Sequence, residues 1–178
     1  MPISDIDIIN GCKKGNRKMQ NALYQKYHRM LFGVCMRYAS SKMEAEDILQ
    51  DGFILIYRDL YQYKPSSSLG AWCRRVMINV ALQHIRKNKR LFPTLELTEV
   101  ADTFRTEADI LGKFRAEALI KLVQKLPEGY RAVFNLYVIE GFSHHEIGDA
   151  LGITPETSRS QFSRAKAALR KMLEKNIV

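Results

Sequence analysis

Apolar residues recur at spacings of three and four along most of the chain, the period of helices with one buried face. Ser4 or Asp5 can cap a short helix carrying Ile6, Ile8, Ile9 and Cys12, closed by Gly15. Asn16 opens a second, in which Leu23, Tyr27, Met30 or Leu31, Val34 and Tyr38 mark the core side. Ser41 with Glu44 has the form of a capping box, where each side chain satisfies a backbone N–H at the helix start. From there EAEDILQDGFILIYRDLYQY reads as one long helix reaching Pro65. Pro65 and three serines form a loop, and Ser68 can cap a fourth helix with Leu69, Trp72, Val76, Val80 and Leu82 on its buried side. No strand alternation or internal repeat interrupts the pattern, so the fold class is all-α.

The helical period lapses after Pro93, where TLELTEVADTFRTEAD carries a surplus of acid and no strong cap. This predicts two small helical domains, 1–92 and 109–178, joined by a flexible linker at 93–108. The period resumes near Ala108 through Leu111, Phe114, Ala118, Leu119, Leu122 and Leu126, stops at Pro127, and restarts in EGYRAVFNLYVIEG. Ser143 with Glu146 then forms a second capping-box pattern, and a short helix follows that ends near Gly152. Thr154 and Pro155 read as the N-cap and first position of another helix. Two helices about three residues apart make a helix-turn-helix. Its second helix has Phe162, Ala165 and Leu169 on the apolar side. Glu156, Thr157, Arg159, Ser160, Gln161, Ser163 and Arg164 crowd its first turns with groups that read base edges or phosphates.

Charge sharpens this picture. A formal net charge of +9 and a pI near 9.5 call for a polyanionic partner, nucleic acid before an anionic membrane surface. The fourth helix combines Arg74, Arg75, Arg86 and Lys87 with Trp72, Asn79, Gln83 and His84. Basic charge interleaved with stacking and amide groups suits unpaired or distorted nucleic acid. The third helix is different: Phe53, Ile54, Leu55 and Leu60 spread apolar surface beyond a core stripe, beside Glu46, Asp47, Gln50 and Asp51. Two readings stand for it, a protein-binding patch rimmed by acid or an amphipathic helix with a solvated acidic face.

Other chemistries find no support. Cys12, Cys35 and Cys73 show no paired spacing, which argues against a disulfide framework or a zinc site and for a reducing compartment. The N-terminal residues lack the charge order and apolar run of a signal peptide, and no membrane insertion is expected. HEIGD begins like a metalloprotease HExxH, but Asp149 occupies the place of the second histidine. Without a glycine-rich phosphate loop or a nucleophile elbow, neither an enzyme nor a bound cofactor or metal is expected. A free-standing helix-turn-helix regulator shares the C-terminal reading, yet leaves the basic Trp72 helix unexplained.

Three segments in order resemble bacterial sigma factors of the extracytoplasmic-function type, within the sigma-70 family. AEDILQDGF resembles the family's core-binding signature, SLGAWCRRVMINVALQHIRK its promoter-melting and minus-ten segment, and LPEGYRAVFNLYVIEGFSHHEIGDALGITPETSRSQFSRAKAAL its minus-thirty-five reader. The resemblance covers about Asp5 to Leu173. It implies sigma domain 2 followed by sigma domain 4, and a factor that directs core RNA polymerase to promoters in the cytoplasm. Asp47, Gln50, Asp51, Phe53 and Ile54 would meet the polymerase β′ coiled coil, and the β flap is a further implied contact. Lys64, Ser66, Ser67, Ser68 and Leu69 would surround a flipped base of the minus-ten element, with Trp72, Arg75, Asn79, Gln83, Arg86 and Lys87 on the adjoining helix. Glu156, Thr157, Arg159, Ser160, Gln161, Ser163 and Arg164 would serve the minus-thirty-five element. The acidic linker would thread polymerase channels, and an anti-sigma factor is an implied partner. This chain departs from the usual pattern at Asp51 (for Glu), Cys73 (for Leu or Ile), Gln83 (for Asp), Ser158 (for Val) and Gln161 (for a frequent Arg).

Overall fold

The computed structural model describes residues 3–65, 68–87 and 116–176; the linker and the first turns expected after Ala108 lie outside the described residues. It is helical throughout, with no strand among the described residues, and divides into two units between Gln83 and His84. The first unit contains α1 (Asp5–Lys13), α2 (Arg17–Tyr38), α3 (Lys42–Asp59) and most of α4 (Leu69–Lys87). Ser4 Oγ accepts from the Asp7 N–H at 3.1 Å and Asn16 Oδ1 from the Lys18 N–H at 2.9 Å, so both expected caps are present. Gly15 between them takes φ +71°, a conformation that costs glycine little.

The start of α3 differs from a simple capping box. Ser41 Oγ accepts from the Glu44 N–H at 3.1 Å, but the Glu44 carboxylate accepts from the N–H of Ser40, at 2.7 Å. The box is displaced by one residue on its return side. At its other end α3 stops at Asp59 and tightens into a 3₁₀ turn, Leu60–Gln62, instead of running on to Pro65. Leu60 remains fully buried in that turn, which closes the core beneath α1 and α3.

Leu23, Leu31, Val34, Tyr38, Ile48, Ile56, Leu69, Met77 and Val80 form the core of this unit, each side chain contributing about 1.5–3 kcal/mol on burial. Leu31, not Met30, is the inward residue of α2. Helices α3 and α4 approach closely because position 52 has no side chain. A Cβ there would stand 2.3 Å from the Met77 sulfur. Tyr27, expected in the core, is half-buried, and its hydroxyl donates to the Asp5 carboxylate at 3.0 Å, tying α2 to α1. The three cysteines are buried free thiols, and desolvation pushes those of Cys35 and Cys73 up to about 12, leaving them protonated and unreactive at neutral pH.

The second unit contains α5 (Ala116–Gln124), α6 (Glu128–Phe134), α7 (His144–Leu151) and α8 (Pro155–Asn176). The segment expected as one helix after Pro127 widens into a π turn at Asn135–Ile139. At its start the buried Asn135 amide donates to the Arg131 carbonyl at 2.9 Å, beside the backbone bond that the same carbonyl accepts from the Asn135 N–H. Arg131 is itself buried, and its guanidinium donates to the carbonyls of Gln124 (2.7 Å) and Leu126 (3.4 Å). A buried cation thereby satisfies the end of α5, where carbonyls lack helical partners.

Candidate nucleic-acid and polymerase interfaces

The acidic helix α3 presents Asp47, Gln50 and Asp51 to solvent, together with Ile54 at 57% exposure. Phe53 is different. It is 5% exposed, its ring lies 4.7 Å from Tyr24 and 5.9 Å from Tyr57, and it forms the floor of an open groove between α2 and α3. Its expected part as a surface contact therefore becomes a supporting one. The opposite wall, Tyr24, His28, Arg29 and Phe32 from α2, was not legible as a site, because Tyr24 and Phe32 fall within the helical period as ordinary amphipathic positions. Tyr24 and His28 stack at 5.1 Å with an 8° interplanar angle, a flat aromatic rim beside the acidic one.

The basic helix α4 starts at Ser68, whose Oγ accepts from the Ala71 N–H at 3.2 Å. Lys64 and Ser68 are exposed at either end of the connecting loop; Ser66 and Ser67 lie outside the described residues. Leu69, named among the base-capturing residues, is 1% exposed and belongs to the core of the first unit. Trp72 is half-buried and meets Tyr63 edge-on at 5.9 Å and 72°, so rings from the two sides of the loop brace one another. Beyond it Arg75, Asn79, Gln83, Arg86 and Lys87 are all exposed. Their spacing of three and four residues lines them along one face in continuation of Trp72.

In the second unit the helix-turn-helix is built as expected. Ser143 Oγ accepts from the Glu146 N–H (3.3 Å) while the Glu146 carboxylate accepts from the Ser143 N–H (2.8 Å), which holds the Glu146 carboxyl below its usual range. Gly152 turns the chain at φ +70°, and Gly148 lies so close to the Ile153 carbonyl that a Cβ would approach it to 2.7 Å. Thr154 Oγ1 accepts from the Thr157 N–H at 3.1 Å and starts α8. Glu156 and Arg159 are exposed, and Thr157, Ser160, Ser163 and Arg164 partly so. The Arg159 guanidinium donates to Glu156 at 2.6 Å, which positions it without burying it.

Gln161 departs from the expectation. It is 4% exposed and lies on the inward stripe of α8 with Ser158, Phe162, Ala165 and Leu169. It is thus turned away from any DNA that the outer face meets. His144 is half-buried at the start of α7. Its Nδ1 is 2.9 Å from Ser158 Oγ, and its ring stacks on Tyr137 at 4.6 Å. Desolvation, followed by the nearby Arg159 and Lys166 charges, lowers its pKa. His145 is exposed and pairs with Asp149 at 3.6 Å.

The match to known proteins follows the same division. The family model for Sigma-70 region 2 matches residues 23–91, and that for Sigma-70, region 4 matches residues 116–169. The chain is 29% identical to the RNA polymerase sigma-H factor of Pseudomonas aeruginosa, across 96% of this chain and 94% of that one. It is also 29% identical to the ECF RNA polymerase sigma factor SigW of Bacillus subtilis, across 93% and 94%. The solved sigma factor RpoE of Bartonella quintana, in complex with the anti-sigma factor NepR, shares the fold at 22% identity and a TM-score of 0.51, over 82% of this chain and 91% of that one. With an acidic, groove-bearing helix and a basic helix under the region 2 match, and a helix-turn-helix under the region 4 match, this chain belongs to the sigma-70 family as an extracytoplasmic-function sigma factor, which binds core RNA polymerase and directs promoter-specific initiation.

Proposed function

We propose that residues 1–92 bind polymerase and the melted minus-ten element, that 93–108 link the domains, and that 109–178 read the minus-thirty-five element as duplex. The observation that carries this reading is the exposed row Arg75, Asn79, Gln83, Arg86 and Lys87 on α4, continuing from Trp72. A protein that read duplex DNA by its helix-turn-helix alone would have no use for it. Extruding a base costs a few kcal/mol of stacking and pairing. A cationic helix with amide groups offsets part of that cost by holding the displaced strand, while Lys64, Ser66, Ser67 and Ser68 border the flipped base. Leu69 lies in the core, and Tyr63 and Trp72, in ring contact, flank the segment.

The outer face of α8 enters the major groove, where Arg159 and Arg164 donate to guanine or phosphate and Thr157, Ser160 and Ser163 make shorter contacts. Glu156 orients Arg159 beforehand. On α3, Asp47, Gln50, Asp51 and Ile54 engage the β′ coiled coil, over a groove floored by Phe53 and walled by α2. The β flap contacts the second domain, and the acidic linker follows polymerase channels. The factor contributes recognition and positioning; polymerase performs the chemistry. It works in the cytoplasm, and no helix of the described residues is long and apolar enough to cross a membrane. The Bartonella quintana relative is held by an anti-sigma factor, and we extend that class of partner to this chain.

The test is binding of the assembled holoenzyme to forked promoter DNA carrying an unpaired minus-ten strand. Reversing charge at Arg75 and Arg86 together should abolish the preference for forked over duplex template while core polymerase binding persists. An undiminished preference would remove α4 from the melting role.

A further inference from the structure

Ser158 lies one turn into α8 with its side chain wholly enclosed. A hydroxyl there is costly unless bonded, and its partner comes from across the turn, His144 Nδ1 at 2.9 Å on the first residue of α7. The imidazole also stacks on Tyr137 of the π turn, at 14° between planes, and borders Phe162 of α8 at 5.9 Å. One ring therefore touches three successive segments of the second unit. The apolar contacts around it, among them Tyr137 with Phe162 at 4.5 Å, are non-directional and tolerate rotation of α8 about its axis. A hydrogen bond between fixed positions does not.

We propose that the His144–Ser158 hydrogen bond fixes the roll of α8 against α7, making both residues positioning residues for minus-thirty-five recognition. This rests on the assignment of α8 as the reading helix. Ser158 stands immediately before Arg159, so whatever fixes the one fixes the angle at which the other leaves the helix. A roll of about 20° displaces a side chain at the ~6 Å outer radius of a helix by about 2 Å. That exceeds the tolerance of a base-edge hydrogen bond.

The test uses full-length factor assembled with core polymerase, on duplex fragments bearing the minus-thirty-five element and its single-base-pair variants. Ser158→Val and His144→Phe should each weaken binding about tenfold, as expected for an orphaned buried partner, and should narrow the ratio between matched and variant fragments. The double variant, in which the bond is already lost, should bind about as weakly as either single variant and discriminate no better. His144→Asn, whose amide reaches the place of Nδ1, should retain both affinity and discrimination. Loss of stability alone would scale all fragments equally and leave that ratio unchanged. Additive losses in the double variant, or single variants that discriminate as the parent does, would overturn the proposal. Arg159→Ala separates the two levels. If it too leaves binding unchanged, the assignment of α8 fails; if it weakens binding while the pair variants do not, only the positioning role fails.

Discussion

At the scale of single residues, α8 separates exposed polar positions from buried ones. Arg159 and Arg164 stand on the partly or fully exposed face, and replacing either with Ala should weaken minus-thirty-five binding by about 1–3 kcal/mol if it contacts a base. Promoter-fragment titrations against matched and mismatched elements measure this directly. Gln161→Ala should leave base discrimination intact, because its side chain faces the core. The sequence did not reveal that turn. Gln161 is polar, sits among polar neighbours and follows Arg159 by two residues, so only the phase of the helix, set by Phe162 and Ala165, places it inward. His144 gives a pH dependence of defined sign. Its pKa is lowered in the folded state, so the folded state binds fewer protons than the unfolded one. Its contribution to stability is fully present above the ordinary histidine value near 6.5 and declines as pH falls through that value toward the folded one. The protection factors of amides in α7 and α8, with the intrinsic pH dependence of exchange divided out, should fall below about pH 6.5, and His144→Phe should remove that part of the slope.

At the scale of elements, caps and periods made most of the fold legible. Ser4, Asn16, Ser68, Ser143 and Thr154 all accept backbone hydrogen bonds at the helix starts where their types place them. What escaped the sequence depends on contacts between elements. Arg131 sits at a helical position that could equally be solvated, yet it closes the end of α5, and a π turn begins at Asn135 inside an unbroken apolar period. Arg131→Leu should destabilise the second unit by about 2–4 kcal/mol, since it orphans buried carbonyls as well as removing a cation; thermal or denaturant melting of the full chain tests it. The acidic helix was ambiguous for a related reason. Periodicity exposes Asp47, Gln50 and Asp51 but says nothing of the α2 wall beside them. Asp51→Arg should abolish binding to core polymerase while circular dichroism and the melting midpoint stay near those of the parent chain. Retained polymerase binding would discredit α3 as the contact.

At the scale of the whole molecule, the net charge of +9 is unevenly distributed: acid and apolar groups on α3, cations and amides on α4, cations and short polar groups on α8. Because phosphate contacts release counterions, holoenzyme binding to promoter DNA should weaken steeply with salt, and Lys87→Ala should reduce the slope by about one if it meets a phosphate, with little effect on base preference. The most direct measurement is transcription in vitro from a pool of promoter fragments by core RNA polymerase, with and without this protein. Initiation at a discrete set of fragments that depends on the protein, and that share a minus-ten and a minus-thirty-five sequence, is the predicted result. Absence of protein-dependent initiation, with sequence-specific duplex binding by the protein alone, would contradict it.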